Sequence, residues 1–397
     1  MGIFNHHLEG NSLVIDMPKC LDATNAPEAD AEIQAICEEY PDRNAVLDCK
    51  VLDYISSAGL RVILRLKQMH KSVSSIINVS PTVYEILDCT GFSEMFEVQK
   101  AYRTISIEGC ELIGTGANGK VYRIDRETIV KTFMNPESLP DILRERELAR
   151  KAFVKGIPTA ISYEVVRIES GGYGAVYELL DSKSLSKLLA SGEITVDEAA
   201  KMSVDLLKIV HSKTVSPGDF PDIKKKVRSW AEYLRDYLPE MQYRKISRMI
   251  EEVPDDSRIV HGDFYIRNIM YQNGECLLID MDTLSSGNPI FEFGSIYNAY
   301  RGFYEIRPAE CETFLGISSE MAAELWQKTL ACYFEGADEE FLGRIEKSAM
   351  LLGHIRLLRR AIKRGGDNSE EQQKMAAHSR ERIRELLEEL DSFAVVN

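Results

Sequence analysis

The stretch RIVHGDFYIRNIM, Arg258 to Met270, decides how this chain is read. It ends a short apolar strand, sets a carboxylate, Asp263, directly after His261-Gly262, and places an amide, Asn268, five residues on. A second acidic pair, Asp280 and Asp282, closes the apolar run CLLIDMD. A lone His-Gly-Asp is an ordinary turn. An aspartate can also take a proton from an attacking hydroxyl and orient it. The Asn268 oxygen and the Asp280 carboxylate are hard donors of the kind that Mg²⁺ shares with phosphates. Asp282 reads either as a group behind the metal or as a cap of the following turn.

Upstream, GTGANGKV carries Gly114, Gly116 and Gly119 in a G-x-G-x-x-G-x-V spacing. Glycines let backbone N–H groups approach phosphates without side-chain interference. A dinucleotide fingerprint needs a helix straight after the glycines. Here KVYRI reads as a strand, so a hairpin loop over phosphates fits better. Lys131, in the strand TIVKTF, is a candidate point charge for nucleotide phosphates, held by a glutamate of the next helix. RERELAR offers Glu145 and Glu147, and Glu147 is the preferred partner.

The surrounding pattern changes near residue 100. Before it, strand signals at 11–17, 44–50 and 74–80 alternate with helix signals at 57–71 and 81–91, which predicts a small α/β unit. After Ser106 come antiparallel strand signals, a charged helix ending at Gly156, and two strands around Gly171-Gly172. From about 184 the chain reads as mostly helical, interrupted by the strand–loop–strand stretch around Asp263 and Asp280. The expected division is 1–99 and 100–397, the second part having a β-rich lobe at about 106–180 and a helical lobe at about 181–397. The terminal segment EEQQKMAAHSRERIRELLEEL is expected to pack on its own lobe.

These motifs carry a resemblance. Residues 108–370 resemble the bilobal α+β, protein-kinase-like fold of aminoglycoside phosphotransferases and choline kinases. HGDFYIRN is similar to the His-Gly-Asp-x-x-x-x-Asn signature of that family. IDMDTLSSGNPIFEFG resembles its metal-binding strand and following loop, where Gly-Asp-Pro-x-x-Asp-Leu-Ala is common. Here Asn288 stands for the aspartate and Glu292-Phe293-Gly294 for Asp-Leu-Ala; these departures spare the Mg²⁺ ligands and fall on the substrate side. The resemblance implies ATP and Mg²⁺ as cofactors, Asp263 as catalytic base, Asn268 and Asp280 as metal ligands, and Lys131 paired with Glu147. It also implies adenine binding along VYELL, with Glu178 and Leu180 as hinge residues. Residues 3–99 resemble the α/β STAS fold of anti-sigma factor antagonists, centred on LDCKVLDYISSAGLRVILRL. Ser57 falls where that family has its phosphorylatable serine, and Ser56 replaces the preceding aspartate. A residue-level reading makes Ser57 an N-cap opening the helix.

With 397 residues and a net charge of −15, a nucleic-acid partner is not expected, since a phosphate backbone would be repelled. The first hundred residues hold 15 acidic against 8 basic side chains, so the front unit is the more acidic per residue. The basic run Lys224 to Lys226 reads as a solvated helix face. No apolar run of 18 residues, no secretory leader and no Cys-x-x-Cys pair is read, which predicts reduced thiols, no membrane association and a cytoplasmic protein. Three functions follow: phosphoryl transfer to a small hydroxyl compound with a regulatory STAS unit that engages a protein partner; phosphorylation of a protein serine, Ser57 included; or nucleotide binding without catalysis. Retention of Lys131, Asp263, Asn268 and Asp280 argues against the third. The helical mass after 295 favours a closed pocket for a small acceptor; Glu305, Glu310, Glu312 and Glu320 could draw a cation to it, but most of them read as facing solvent.

Overall fold

The structure is a computed structural model. It describes residues 2–396 apart from 70–72, 74, 117–118, 134, 136, 181 and 366–368. The chain divides into two compact units, Met1–Ile105 and Ser106–Asn397.

In the front unit the strands Asn5–Glu9, Ser12–Asp16, Asn44–Asp48, Ser75–Val79 and Glu97–Lys100 are hydrogen-bonded in that order. The first pair is antiparallel and the rest are parallel. Parallel neighbours need crossovers, which the helices Ala26–Glu39, Ser57–Met69 and Pro81–Cys89 supply. Leu13, Ile15, Leu47, Ile63, Leu66 and Ile76 form the centre of its core. The strands and helices predicted at 11–17, 44–50, 57–71, 74–80 and 81–91 all have counterparts. Predicted ends at 70–71 and 74 lie outside the described residues. Asn5–Glu9 gave no strand signal because it is exposed along its whole length and lacks alternation. Ala26–Glu39 gave no helix signal because Ile33, Ile36 and Cys37 are diluted by alanine and glutamate.

In the second unit, the strands Ser162–Ile168, Tyr173–Glu178, Thr128–Phe133, Gly119–Arg123 and Glu111–Thr115 pair antiparallel in that order. The helix Leu139–Val154 lays Ile142, Ala149 and Ala152 into the interior. Helices then dominate: Val196–His211, Ile223–Tyr233 and Glu240–Glu252 precede the loop of interest. Two small sheets fix that loop. Ile269–Gln272 pairs with Glu275–Leu278, Ile269 opposite Leu278. This register puts Asn268 just before one strand and Asp280 just after its partner, and the Ile279 N–H donates to the Asn268 carbonyl at 3.0 Å. Ile259–Val260 pairs with Ser285–Ser286, which brings His261 to Asp263 alongside Thr283.

Beneath the loop, the fully buried helix Ile290–Tyr297 runs into a π-helical turn, Asn298–Gly302. The long helix Glu339–Lys363 crosses it, and Glu370–Glu389 packs on that helix through Met375, Ala376, Ile383 and Leu387. In the run Lys224–Lys226 only Lys225 is the solvated residue that the charge suggests. The Lys224 side chain is 12% exposed and bonds the Val253 carbonyl and Asp255, while Lys226 is half-buried.

Candidate active site

Gly262 has φ +79°, and a Cβ there would lie 2.8 Å from the Thr283 carbonyl oxygen. Only glycine satisfies both conditions at low cost. The turn it permits swings Asp263 out of the strand direction. Three contacts hold the loop: Thr283 Oγ1 donates to the His261 carbonyl at 2.7 Å, Ser295 Oγ to the Gly262 carbonyl at 3.0 Å, and the buried Glu292 carboxylate accepts from the His261 and Gly262 N–H groups. Burial alone would raise the Glu292 carboxyl. His211, His261 and the Gly262 N–H outweigh it and hold the carboxyl below the usual range. His211 is itself lowered, chiefly by burial. Its Nε2 is 3.9 Å from Glu292, so the backbone N–H groups are the nearer support of that carboxylate.

Asn268 donates from Nδ2 to the Asp263 carbonyl at 3.0 Å, which leaves its Oδ1 as the free amide atom. Asp280 adopts φ +65°, a left-handed conformation that non-glycine residues rarely take and that clusters at functional sites. Its Oδ1 accepts from Lys131 Nζ at 2.7 Å. Lys131 also meets Glu145 at 2.8 and 3.1 Å. Burial would lower the ammonium, but Glu145 and Asp280 outweigh it and raise it. Burial raises Glu145, and burial followed by Asp280 raises Asp282. One ammonium thus faces three crowded carboxylates. That negative excess, together with the free Asn268 oxygen, suits a divalent cation with oxygen ligands.

The sequence preference for Glu147 is corrected by this geometry: Glu145 is the partner of Lys131. Glu147 points outward and pairs with Arg150 at 2.8 Å. Two positions apart on a helix is about 200°, so only one of them can face inward. A signal was there: Ile142, Glu145, Ala149 and Ala152 form one buried stripe. The glycines also separate. A Cβ on Gly119 would meet the Thr132 carbonyl at 2.0 Å, so Gly119 is needed for the hairpin itself. Gly114 and Gly116 have room, with nearest atoms at 3.6 and 3.8 Å. Ala117 and Asn118 of this loop lie outside the described residues.

Gly114, Gly116, Gly119, Lys131, Glu145, Glu178, Leu180, Asp263, Asn268, Asp280 and Asp282 line one cavity of about 1020 Å³. Glu178 is tied to Ile161 twice: its carboxylate accepts from the Ile161 N–H at 2.7 Å and its own N–H donates to the Ile161 carbonyl at 3.1 Å. In the front unit, the helix is capped by Ser56, not Ser57: Ser56 Oγ accepts from the Ala58 and Gly59 N–H groups at 3.2 and 3.4 Å. Ser57 is exposed in the first turn.

Residues 109–319 match the family described as "Phosphotransferase enzyme family". The chain belongs to that family. Residues 5–106 match the STAS domain, so the phosphotransferase unit follows a STAS domain. The protein named "Putative anti-sigma factor antagonist BtrV" of Bordetella bronchiseptica is 34% identical over 89 residues, 22% of this chain and 76% of that protein. Among solved structures, a thermostable mutant of aminoglycoside phosphotransferase APH(4)-Ia without ligand gives a TM-score of 0.50 at 13% identity, covering 71% of this phosphotransferase and 97% of that chain. A ternary complex of such a mutant with ADP and hygromycin B also scores 0.50 at 13% identity, over 70% of this chain and 93% of that one. At that identity the likeness establishes the fold.

Sequence reasoning missed two residues of this phosphotransferase. Glu292 looked like a departure on the substrate side, yet its carboxylate clamps the His-Gly-Asp loop from below. Arg356 donates to the Gly262 carbonyl at 3.0 Å and to Asp263 Oδ1 at 3.1 Å. Its signal was the basic stripe of HIRLLRRAIKR, which reads at first as an ordinary charged helix end. The acidic residues after 295 are mostly turned to solvent, as expected, or engaged by other side chains. Glu305 binds His378 and Tyr297, Glu310 binds Arg307, and Glu312 and Glu320 are exposed. The eight cysteines are free thiols, and burial pushes Cys37 up to about 11 and Cys49 up to about 12. No helix among the described residues is long and apolar enough to cross a membrane.

Proposed function

We propose that this protein transfers the γ-phosphoryl group of ATP to a hydroxyl of a small molecule, with the STAS domain as its regulatory part. The observation that supports this most is the convergence of Lys131, Glu145, Asp263, Asn268 and Asp280 on one cavity large enough for a nucleotide and a small acceptor. The backbone from Glu178 to Leu180 would meet the adenine, and the loop from Gly114 to Gly119 would lie over the phosphates. Lys131, held by Glu145, contacts the α- and β-phosphate oxygens. Asp280 and Asn268 would hold Mg²⁺, which supplies charge neutralisation on the phosphates. Asp263 orients the acceptor hydroxyl in line with the γ-phosphorus and takes its proton. Most of the acceleration comes from positioning and charge complementarity.

The test is Asp263→Ala, read by ADP release and by nucleotide binding. The variant should fold and bind ATP with Mg²⁺ while transfer falls by a factor of about 10² or more. Retained turnover would remove Asp263 from the role of base.

A second reading rests on Ser57. Its hydroxyl is exposed in the first turn of a helix, where a phosphate would meet backbone N–H groups and the positive end of the dipole. Incubation with γ-labelled ATP and no added acceptor discriminates the two. Label that disappears in both Ser57→Ala and Asp263→Ala would make the chain a serine kinase of its own STAS domain.

A further inference from the structure

We propose that the acceptor is an anion: a small molecule carrying a phosphate or carboxylate group beside the hydroxyl that is phosphorylated. The inference rests on the phosphotransferase reading and concerns the acceptor side of the same cavity.

Arg356, Arg359, Arg360, Lys363 and Arg364 follow one another at helical spacing at the end of the helix Glu339–Lys363. All five line the cavity that holds Asp263. The opposite face, Leu357, Leu358 and Ala361, is buried in the core. Among the described residues, the one carboxylate within ion-pair distance of any of the five is Asp263 itself, on Arg356. A helix C-terminus favours cations in its last turn. That preference does not explain why the row faces the cavity, nor why it begins at Arg356, about two turns from the end. Like charges four residues apart on a helix repel, and this face holds three such pairs, Arg356 with Arg360, Arg359 with Lys363 and Arg360 with Arg364.

Three of the cations lie against aromatic rings with no carboxylate among the described residues to neutralise them. Arg360 lies 4.7 Å from the Phe303 ring centre, Lys363 5.2 Å from Tyr233, and Arg359 5.8 Å from Tyr233 and 5.9 Å from Trp230. Arg359 Nε is buried with no protein partner. A smaller recess of about 290 Å³ adjoins, lined in part by Arg360 and Arg364. The acidic groups of this recess, Glu310 and Glu371, both pair with Arg307 at 2.5 Å. A cationic amino sugar would find no free carboxylate there and would face a row of positive charges. A guanidinium fork matches the two oxygens of a phosphate or carboxylate.

Arg356 gives the anion a further effect. Its guanidinium occupies Oδ1 of Asp263 at 3.1 Å, the atom that would otherwise receive the acceptor hydroxyl. An oxyanion that takes over this guanidinium frees Asp263. The hydroxyl oxygen then forms the new P–O bond, its proton passes to Asp263, and the bond from the γ-phosphorus to the β–γ bridging oxygen breaks, its electron pair leaving with ADP. Arg356 is thus a positioning residue, and the anion that selects the acceptor also releases the base.

Calorimetric titration of the full chain tests this, with Mg²⁺ and AMP-PNP filling the nucleotide side. The probes are inorganic phosphate, gluconate, and the amino sugar kanamycin. Phosphate or gluconate should bind, and which of the two binds more tightly tells a phosphate-bearing acceptor from a carboxylate-bearing one. Binding should weaken at least tenfold in Arg359→Ala/Arg360→Ala. If that variant does not fold, the exposed Arg364→Glu replaces it. Kanamycin binding more tightly than both anions, no anion binding to wild type, or anion binding unchanged in the folded variant would each overturn the proposal. Failure of the underlying reading shows separately, as wild type that binds no AMP-PNP with Mg²⁺ in the first stage of the titration.

Discussion

Glu292→Gln should loosen the His-Gly-Asp loop from beneath without touching the cavity. The wild-type carboxylate is fully buried and accepts from two consecutive backbone N–H groups, His261 and Gly262. The amide is the same size, so packing survives. One of its two heavy atoms becomes a donor, which faces an N–H it cannot accept. Losing a charge-assisted hydrogen bond costs about 1.5–3 kcal/mol, and a buried donor left unpaired costs about 1–3 kcal/mol more. A total near 3 kcal/mol is expected. In a unit of this size, about 2 °C of Tm per kcal/mol gives a loss of about 6 °C. A loop displaced by even 1 Å should lower turnover by a factor of up to about 10².

The pH dependence has a definite sign. The Glu292 carboxyl is lowered in the fold, so its contribution is complete above the unfolded value of about 4.3 and disappears as pH falls through the folded value. His211, lowered chiefly by burial, is favoured neutral, so wild-type stability also declines as pH falls below about 6.5. The Tm gap between wild type and Glu292→Gln should therefore be constant well above about pH 4.3 and shrink as pH falls below it. Thermal melts across pH 3.5–7.5, as a range of about four units, with ADP release at neutral pH, measure both effects. An unchanged Tm together with unchanged turnover would refute the view that Glu292 holds the loop.

Glu145→Ala should destabilise by about 1.5–3 kcal/mol and weaken nucleotide binding, because Lys131 loses its bidentate partner and retains only Asp280. Glu147→Ala, which breaks surface pairs with Arg150 and Lys151, should cost less than about 1 kcal/mol, and paired denaturation curves would show the difference. In the front unit, Ser56→Ala should cost about 0.5–2 kcal/mol through loss of the cap, while Ser57→Ala should leave the melting profile unchanged. The reverse order would make Ser57 the capping residue.

Much of the site could be read in the chain because its parts are local. Gly262, Asp263 and Asn268 share one loop, and Asp280 ends the strand of the hairpin that follows, so a spacing pattern and a change from apolar to acidic are enough to mark them. The alternation of strands and helices in the front unit was visible for the same reason, except where polar residues dilute the pattern, as in Ala26–Glu39. Glu145 was only half legible: the buried stripe is written in the helix, but which side of that helix meets Lys131 depends on how it docks against the sheet.

What the sequence determined, then, was the order of elements and the chemical kinds of the groups that line the cavity, since periodicity and short motifs act over a few residues. The tertiary structure decided the long-range partners. Glu292 reaches back 30 residues to Gly262, and Arg356 reaches Asp263 across 93. Such contacts are set by the rotation and depth of one packed helix against another, which no local pattern encodes. The same packing sets five basic residues of a helix end along the wall of the cavity that holds Asp263.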